Sequence, residues 1–300
     1  MNTPEFDVGP NVPIPLPDLI KRLVGLSPAD HPGAPGEEDG VNGAYDEILF
    51  EEGKWVPCQF RPGLLTLTGM KRLRATVELL DQVVRAKVPG HVIECGVWRG
   101  GQVALMAAVL HNLQLMGYDT GRTQRALIAF DSFEGCPEPD ERRYPLDVAD
   151  KHWRSKDLLG ITLVQVLTNL MGLFPPHVVN GIQFIPGWFE HTCPKIAASF
   201  AKTGEKIALL RIDGDMYSST IQVLEAFYPH VAPGGVVIVD DYVLENCRAA
   251  VDDFREGLKP PLTQAGLDYA DSLGIDPKHL RKPAPKLHTI DYTGVYWVKP

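Results

Sequence analysis

Four carboxylates give the first chemical signal in this chain. Asp213 and Asp215 follow an apolar run, Ile207 to Ile212, and Asp240 and Asp241 follow a second run, Val236 to Val239. Carboxylates brought to one place repel one another unless a proton or a cation sits among them. An all-oxygen set suits a hard cation such as Mg²⁺. One solvated Asp at a strand end is unremarkable. Acidic pairs at two strand ends mark a site rather than a pair of caps.

Two elements must position these acids. Each apolar run has the length and β-branched content of a buried parallel strand. A helical stretch separates them, and Pro233-Gly234-Gly235 turns the chain into the second run. Parallel strands joined by one helix bring their carboxyl ends to the same sheet edge, where open α/β sheets bind ligands. All four acids are therefore expected at one rim.

The same rim receives two earlier segments. A strand, His91 to Cys95, runs into Glu94-Cys95-Gly96-Val97-Trp98-Arg99-Gly100-Gly101 and then a helix. Glycines let backbone approach a ligand closely, and the helix N-terminus is mildly positive. The glycine spacing is not that of a dinucleotide site. Glu94 would repel a pyrophosphate but suits an ammonium group, which disfavours an NAD dehydrogenase. A second strand, Ala126 to Phe130, ends in Asp131-Ser132-Phe133. An acid there is placed to accept ribose hydroxyls, and Phe133 is expected on an adenine face. Together the two loops predict a nucleoside site. A third strand, Ile182 to Ile185, leads to Pro186-Gly187-Trp188-Phe189, a turn suited to flank a base or sugar.

The remainder bounds the function. The 300 residues are enough for one large α/β domain, and a net charge of −9 argues against nucleic acid or an anionic membrane as partner. The five scattered cysteines, with no CxxC, read as reduced structural thiols in a cytoplasmic protein. No apolar run reaches transmembrane length, and the N-terminus lacks a signal pattern. Residues 1–60 are Pro-rich, with one short helix in PDLIKRLVGL, and read as an arm over the main domain or a neighbouring subunit, so a homo-oligomer is expected. Residues 61–300 form the main domain. Residues 132–180 interrupt its strand–helix rhythm as a lid. Five basic residues in the lid alternate with acids, which reads as a solvated mixed surface. The chain closes with KLHTID and GVYWVK, a β-hairpin.

Five βα units and a final hairpin resemble the class I S-adenosylmethionine-dependent methyltransferases: α/β, a doubly wound, mostly parallel seven-stranded sheet with a C-terminal antiparallel hairpin. The strings IECGVWRGG, DSFEG, FIPGWF, LLRIDGDMYSST and GGVVIVDDY closely resemble the macrocin O-methyltransferase family, from about Leu67 to Trp297. The resemblance implies S-adenosylmethionine and Mg²⁺ as cofactors. It implies metal ligands at Asp213, Asp240 and Asp241, and a general base at Asp215 with Asp213 beside it. A more distant relative, catechol O-methyltransferase, keeps a lysine where this chain has Met216, so a lysine base there is excluded. Cofactor contacts carry over to Thr68 in LTGMKRL, to Glu94, Gly96, Trp98, Arg99 and Gly100, to Asp131, Ser132 and Phe133, to Gly187 and Trp188, and to Asp213. The implied reaction is methylation of a deoxysugar hydroxyl in antibiotic biosynthesis, on a nucleotide-linked sugar or on one already joined to an aglycone. Rival readings are a metal-assisted tailoring oxidase or hydroxylase, methylation of a non-sugar diol, and a non-catalytic nucleoside-binding module.

Overall fold

The computed structural model describes residues 4–6, 8–24, 64–118, 125–257 and 284–300. Five parallel strands form the body of one sheet: β1 (His91–Cys95), β2 (Leu127–Asp131), β3 (Ile182–Pro186), β4 (Ile207–Ile212) and β5 (Val231–Val239). Two short strands, β6 (His288–Thr289) and β7 (Val295–Val298), complete it in the order β3-β2-β1-β4-β5-β7-β6. β7 runs antiparallel to β5, and β6 antiparallel to β7. The strand order reverses between β1 and β4, which opens a crevice at their carboxyl ends.

Side chains alternate across the sheet and feed two cores. On one face Val92 and Leu209 pack with α1 (Leu16–Leu23), α2 (Met70–Arg85) and α3 (Gly101–Leu115). The lid joins this face through α4 (Lys156–Leu159), α5 (Leu163–Leu173) and α6 (Pro176–Val179), with Val166, Leu170 and Val178 buried there. On the other face Ile93, Leu210 and Val237 pack with α7 (Phe189–Thr203), α8 (Tyr217–Phe227) and α9 (Glu245–Gly257). α3 is apolar almost all round because it lies between the sheet and α1 and α2. α5 starts at a reciprocal cap between Thr162 and Gln165.

The described part of the arm lies on its own domain. Glu5 and Phe6 donate main-chain hydrogen bonds to Gly172 and Leu173 of the lid, both at 2.8 Å. Asn112 of α3 pairs with both main-chain groups of Ile14. The expected crossover after α9 falls largely at 258–283, outside the described residues. Two expectations are corrected. Pro233-Gly234-Gly235 does not precede the last parallel strand but lies within it. The register slips there, Ile207 facing Val231 while Leu209 faces Val236, so the extra residues form a bulge. β2 runs one residue further than expected and includes Asp131. No helix among the described residues is long and apolar enough to cross a membrane.

Candidate active site

The ends of β1, β2, β4 and β5 surround one cavity of about 750 Å³. Asp213 follows β4 directly, and Asp240 and Asp241 follow β5. Asp213 donates its N–H to the Cys95 carbonyl at 2.8 Å, and Asp240 its N–H to the Ile212 carbonyl at 2.9 Å. The ladder thus continues one residue past each strand and fixes both acidic loops. One oxygen from each of Asp213, Asp240 and Asp241 lies within 4.8 Å of the others. Asp215 sits beside them at φ 57°, a left-handed conformation uncommon for a non-glycine residue. Its N–H donates to an Asp241 oxygen at 3.0 Å.

Two buried arginines hold this acidic cluster. Arg211 shares the sheet face of Leu209, two residues before it, and is 0% exposed. Its Nη1 donates to Glu94 and to Asp213, each at 2.8 Å, and its Nη2 donates to Thr68 at 3.1 Å and to Asp240. Arg72 of α2 reaches the other Asp240 oxygen and donates to Asp291 at 3.0 Å. Buried charges demand such pairing. Even so, five carboxylates, Glu94, Asp213, Asp215, Asp240 and Asp241, face two guanidiniums. Burial pushes Glu94 up to about 8 against the pull of Arg211. Burial, then Asp240, pushes Asp213 up to about 6, again against Arg211. Burial and the neighbouring Asp213 raise Asp241 well above the usual carboxylate range. Three convergent hard oxygens with this surplus of negative charge fit a hard divalent cation.

The β1 loop forms the next wall. At Gly96, φ is +100° and an added Cβ would lie 1.7 Å from the Asp213 carbonyl oxygen, so only glycine lets the two loops meet. Asp131 accepts main-chain N–H groups from Val97 at 2.7 Å, Trp98 at 3.3 Å and Phe133 at 2.7 Å. Burial still raises its pKa against these bonds. A carboxylate has about four acceptor sites, so Asp131 both shapes the loop and retains capacity for a ligand hydroxyl. Deeper in, Glu94 Oε2 and both amide atoms of Gln102 are buried without a hydrogen-bond partner. Both side chains line the cavity. The Gly-rich loop was legible in the sequence, but Gln102 was not singled out. Its signal is a polar residue in the first turn of a helix that is then apolar as far as Leu110.

The other expected residues divide. Thr68, Trp98, Ser132 and Trp188 line the cavity with Glu94, Gly96 and the acids; Arg99, Gly100, Phe133 and Gly187 are outside its lining. The ring expected on an adenine is instead in the core: Phe133 is 8% exposed and meets Phe184 edge-on. Burial against β3 is a better environment for that ring than the polar rim. Arg99 turns away to the Leu64 carbonyl at 3.0 Å and lies over the Trp98 ring. In the lid, Arg142, Arg143, Lys151, Arg154 and Lys156 are exposed, as expected of a solvated surface. Asp147, Asp150 and His152 are not: Asp147 and His152 are buried and the side chain of half-buried Asp150 is shielded, because main-chain and side-chain donors of α8, α9 and the lid itself satisfy the acids. His152 is pushed up to about 9, since Asp215 and Asp150 outweigh the opposing effect of burial. Among the described residues the four cysteines are free thiols.

Known proteins share both sequence and architecture with this chain. The family model described as macrocin-O-methyltransferase (TylF) matches residues 42–270. The 8-demethyl-8-(2,3-dimethoxy-alpha-L-rhamnosyl)-tetracenomycin-C 4'-O-methyltransferase of Streptomyces olivaceus is 36% identical over 275 residues, 90% of this chain and 94% of its own. The mycinamicin III 3''-O-methyltransferase of Micromonospora griseorubida is 36% identical over 247 residues, 80% of this chain and 87% of its own. Among solved structures, the O-methyltransferase NovP superposes with a TM-score of 0.65 at 30% identity, over 95% of this chain and 97% of NovP.

Proposed function

The chain belongs to the macrocin O-methyltransferase family, and from that membership and the geometry of the cavity we propose that it transfers a methyl group from S-adenosylmethionine to a sugar hydroxyl with the help of Mg²⁺. The observation that carries this reading is the convergence of Asp213, Asp240 and Asp241 in a cavity that Glu94 and Gln102 also line.

The wall residues fit the methyl donor. An amino-acid end carries an ammonium and a carboxylate. Glu94 Oε2 and the Gln102 carbonyl oxygen accept from the ammonium, and the Gln102 amide donates to the carboxylate. These are the buried atoms that otherwise lack partners. Asp131 holds a ribose hydroxyl, and Gly96 lets the backbone close against the donor. Asp213, Asp240 and Asp241 hold the cation. When bound, Mg²⁺ supplies Lewis acidity that lowers the pKa of a hydroxyl and orients it. Asp215 accepts the proton of the acceptor hydroxyl as the new O–C bond forms and the donor's S–C bond breaks. The sulfonium methyl is already activated, so positioning by these residues carries much of the rate and no covalent enzyme intermediate is needed.

The acceptor we propose is a sugar already joined to its aglycone. Leu146 and Tyr292, exposed by 44% and 48%, are apolar lining residues suited to an aglycone. Glu138, Asp140, Glu190 and Glu245 line the same cavity and would repel the diphosphate of a nucleotide sugar. Of the basic lid residues, Arg143, Lys151 and His152 line it, but Arg143 is paired with Glu190 at 3.5 Å and His152 with Asp150 at 2.6 Å. The tetracenomycin relative is named for a compound that already bears a rhamnosyl group. A tailoring oxidase is not favoured, since these relatives are O-methyltransferases. Mass spectrometry of two acceptor pools, glycosylated polyketides and nucleotide-linked deoxysugars, tests the acceptor. A methyl mass gain in the first pool is expected. A gain confined to the second would overturn this assignment.

A further inference from the structure

The lid is fastened to the sheet edge by a buried carboxylate. Asp147 sits in a single 3₁₀ turn, Pro145–Ala149, and is 0% exposed. Its two oxygens accept the N–H groups of Tyr217 at 2.6 Å and Ser218 at 3.0 Å, the first two of α8. Those N–H groups have no partner within their own helix, and Met216, which precedes them, offers no side-chain cap. The cap comes instead from a residue 70 positions earlier. A second tie lies alongside. Asn246, in the first turn of α9, donates to Asp147 at 3.3 Å and to Asp150 at 2.7 Å. Asp150 in turn takes the main-chain N–H of His152 at 2.7 Å and pairs with its ring Nδ1 at 2.6 Å.

These ties have a particular position. α8 begins one residue beyond Asp213-Gly214-Asp215, after Met216, and α9 begins shortly after Asp240-Asp241. The lid is therefore pinned to the two helices that leave the two acidic loops. Leu146, Ala149, Lys151 and His152, on and around the pinned turn, form part of the cavity wall. Among the described residues, the bonds of Asp147 and Asn246 run to Tyr217, Ser218 and Asp150 and to each other, and none runs to Glu94, Gln102 or Asp131.

We propose that Asp147 and Asn246 are positioning residues for the acceptor: they set the wall against which the sugar-bearing substrate docks, and so decide which acceptors are accepted. The proposal rests on the methyltransferase reading of the cavity. Its test uses the full chain and the variants Asp147→Asn, Asn246→Ala and both together. Three quantities are read: KM for an α-L-rhamnosyl tetracenomycin, the Kd for S-adenosylhomocysteine by calorimetry, and the rate of tryptic cleavage after Lys151 and Arg154. Losing a hydrogen bond to a buried charge is expected to raise KM and speed cleavage by roughly tenfold to a hundredfold. The Kd for S-adenosylhomocysteine should stay within about twofold, because Asp147 and Asn246 bond none of Glu94, Gln102 and Asp131. The double variant should fall short of the product of the two single effects, since Asp147 and Asn246 share one bond while Asn246 alone reaches Asp150. Unchanged cleavage and unchanged KM would overturn the proposal. So would a loss of S-adenosylhomocysteine affinity in step with KM, which would mark a general folding role. A wild-type chain inactive on this glycoside would count against the acceptor assignment; the cleavage and Kd comparison would still decide the tie.

Discussion

Arg211 accounts for how so many carboxylates share one cavity. It stands in an otherwise apolar strand, fully buried, and donates to Glu94, Thr68, Asp213 and Asp240. Replacing it with methionine would keep much of the volume but leave buried acids without their counter-charge. Arg211→Met is expected to cost about 3–5 kcal/mol of stability, read by calorimetric or denaturant unfolding. Asp215 is the opposite case, a residue whose expected cost falls on turnover. Its left-handed backbone is held by the bond to Asp241, and strain of this kind gathers at functional sites. Asp215→Asn should lower kcat by roughly a hundredfold to ten-thousandfold and leave S-adenosylhomocysteine affinity near wild type. Normal turnover in that variant would move the base elsewhere. The acids themselves were legible in the sequence because each pair directly follows an apolar run. The arginines were not, because Arg211 meets Glu94 and Thr68 across 117 and 143 positions, and nothing local in IALLRI marks a buried charge.

At the level of elements, the strands and helices that carry the site followed from periodicity. Two features did not. The bulge in β5 reads locally as a Pro-Gly-Gly turn. Only pairing to β4, which resumes after the slip, shows that the strand continues. The lid's charges alternate in sign, the usual mark of a solvated face. The side chains of Asp147, Asp150 and His152 are nonetheless shielded, because their partners sit on α8, α9 and the lid itself. A pH dependence follows from His152. Its folded pKa of about 9 lies above the ordinary histidine value of 6.5. A raised histidine contributes stability that is fully present below about 6.5 and is lost as pH rises through about 9. Asp150 and Asp215 face the ring and supply the effect, with Cys136 a neighbour of Asp215 at 3.6 Å. The melting-temperature gap between wild type and His152→Gln should therefore be largest near pH 6 and narrow towards pH 10. A gap that widens with pH would contradict the assigned pairing.

For the whole molecule, the fold brings two unlike sets of residues to one cavity. β1, β2 and the start of α3 bring Glu94, Asp131 and Gln102, and β4 and β5 carry the acidic loops. The strand order reverses between the two pairs, so the two sets meet in the crevice where open α/β sheets bind ligands. This layout was legible in the sequence from the order of strands and the acids at their ends. The acceptor wall was not, because it is made from a lid whose course depends on Asp147 reaching α8.

In the proposed reaction, a cation held by Asp213, Asp240 and Asp241 is needed for methyl transfer. The most direct measurement is mass spectrometry of methyl transfer from S-adenosylmethionine to glycosylated polyketides, in Mg²⁺ and in EDTA, for wild type and Asp213→Asn. Wild type should add one methyl mass in Mg²⁺ and none in EDTA, and Asp213→Asn should lose roughly a hundredfold or more in rate. Full activity of either protein in EDTA would contradict that requirement.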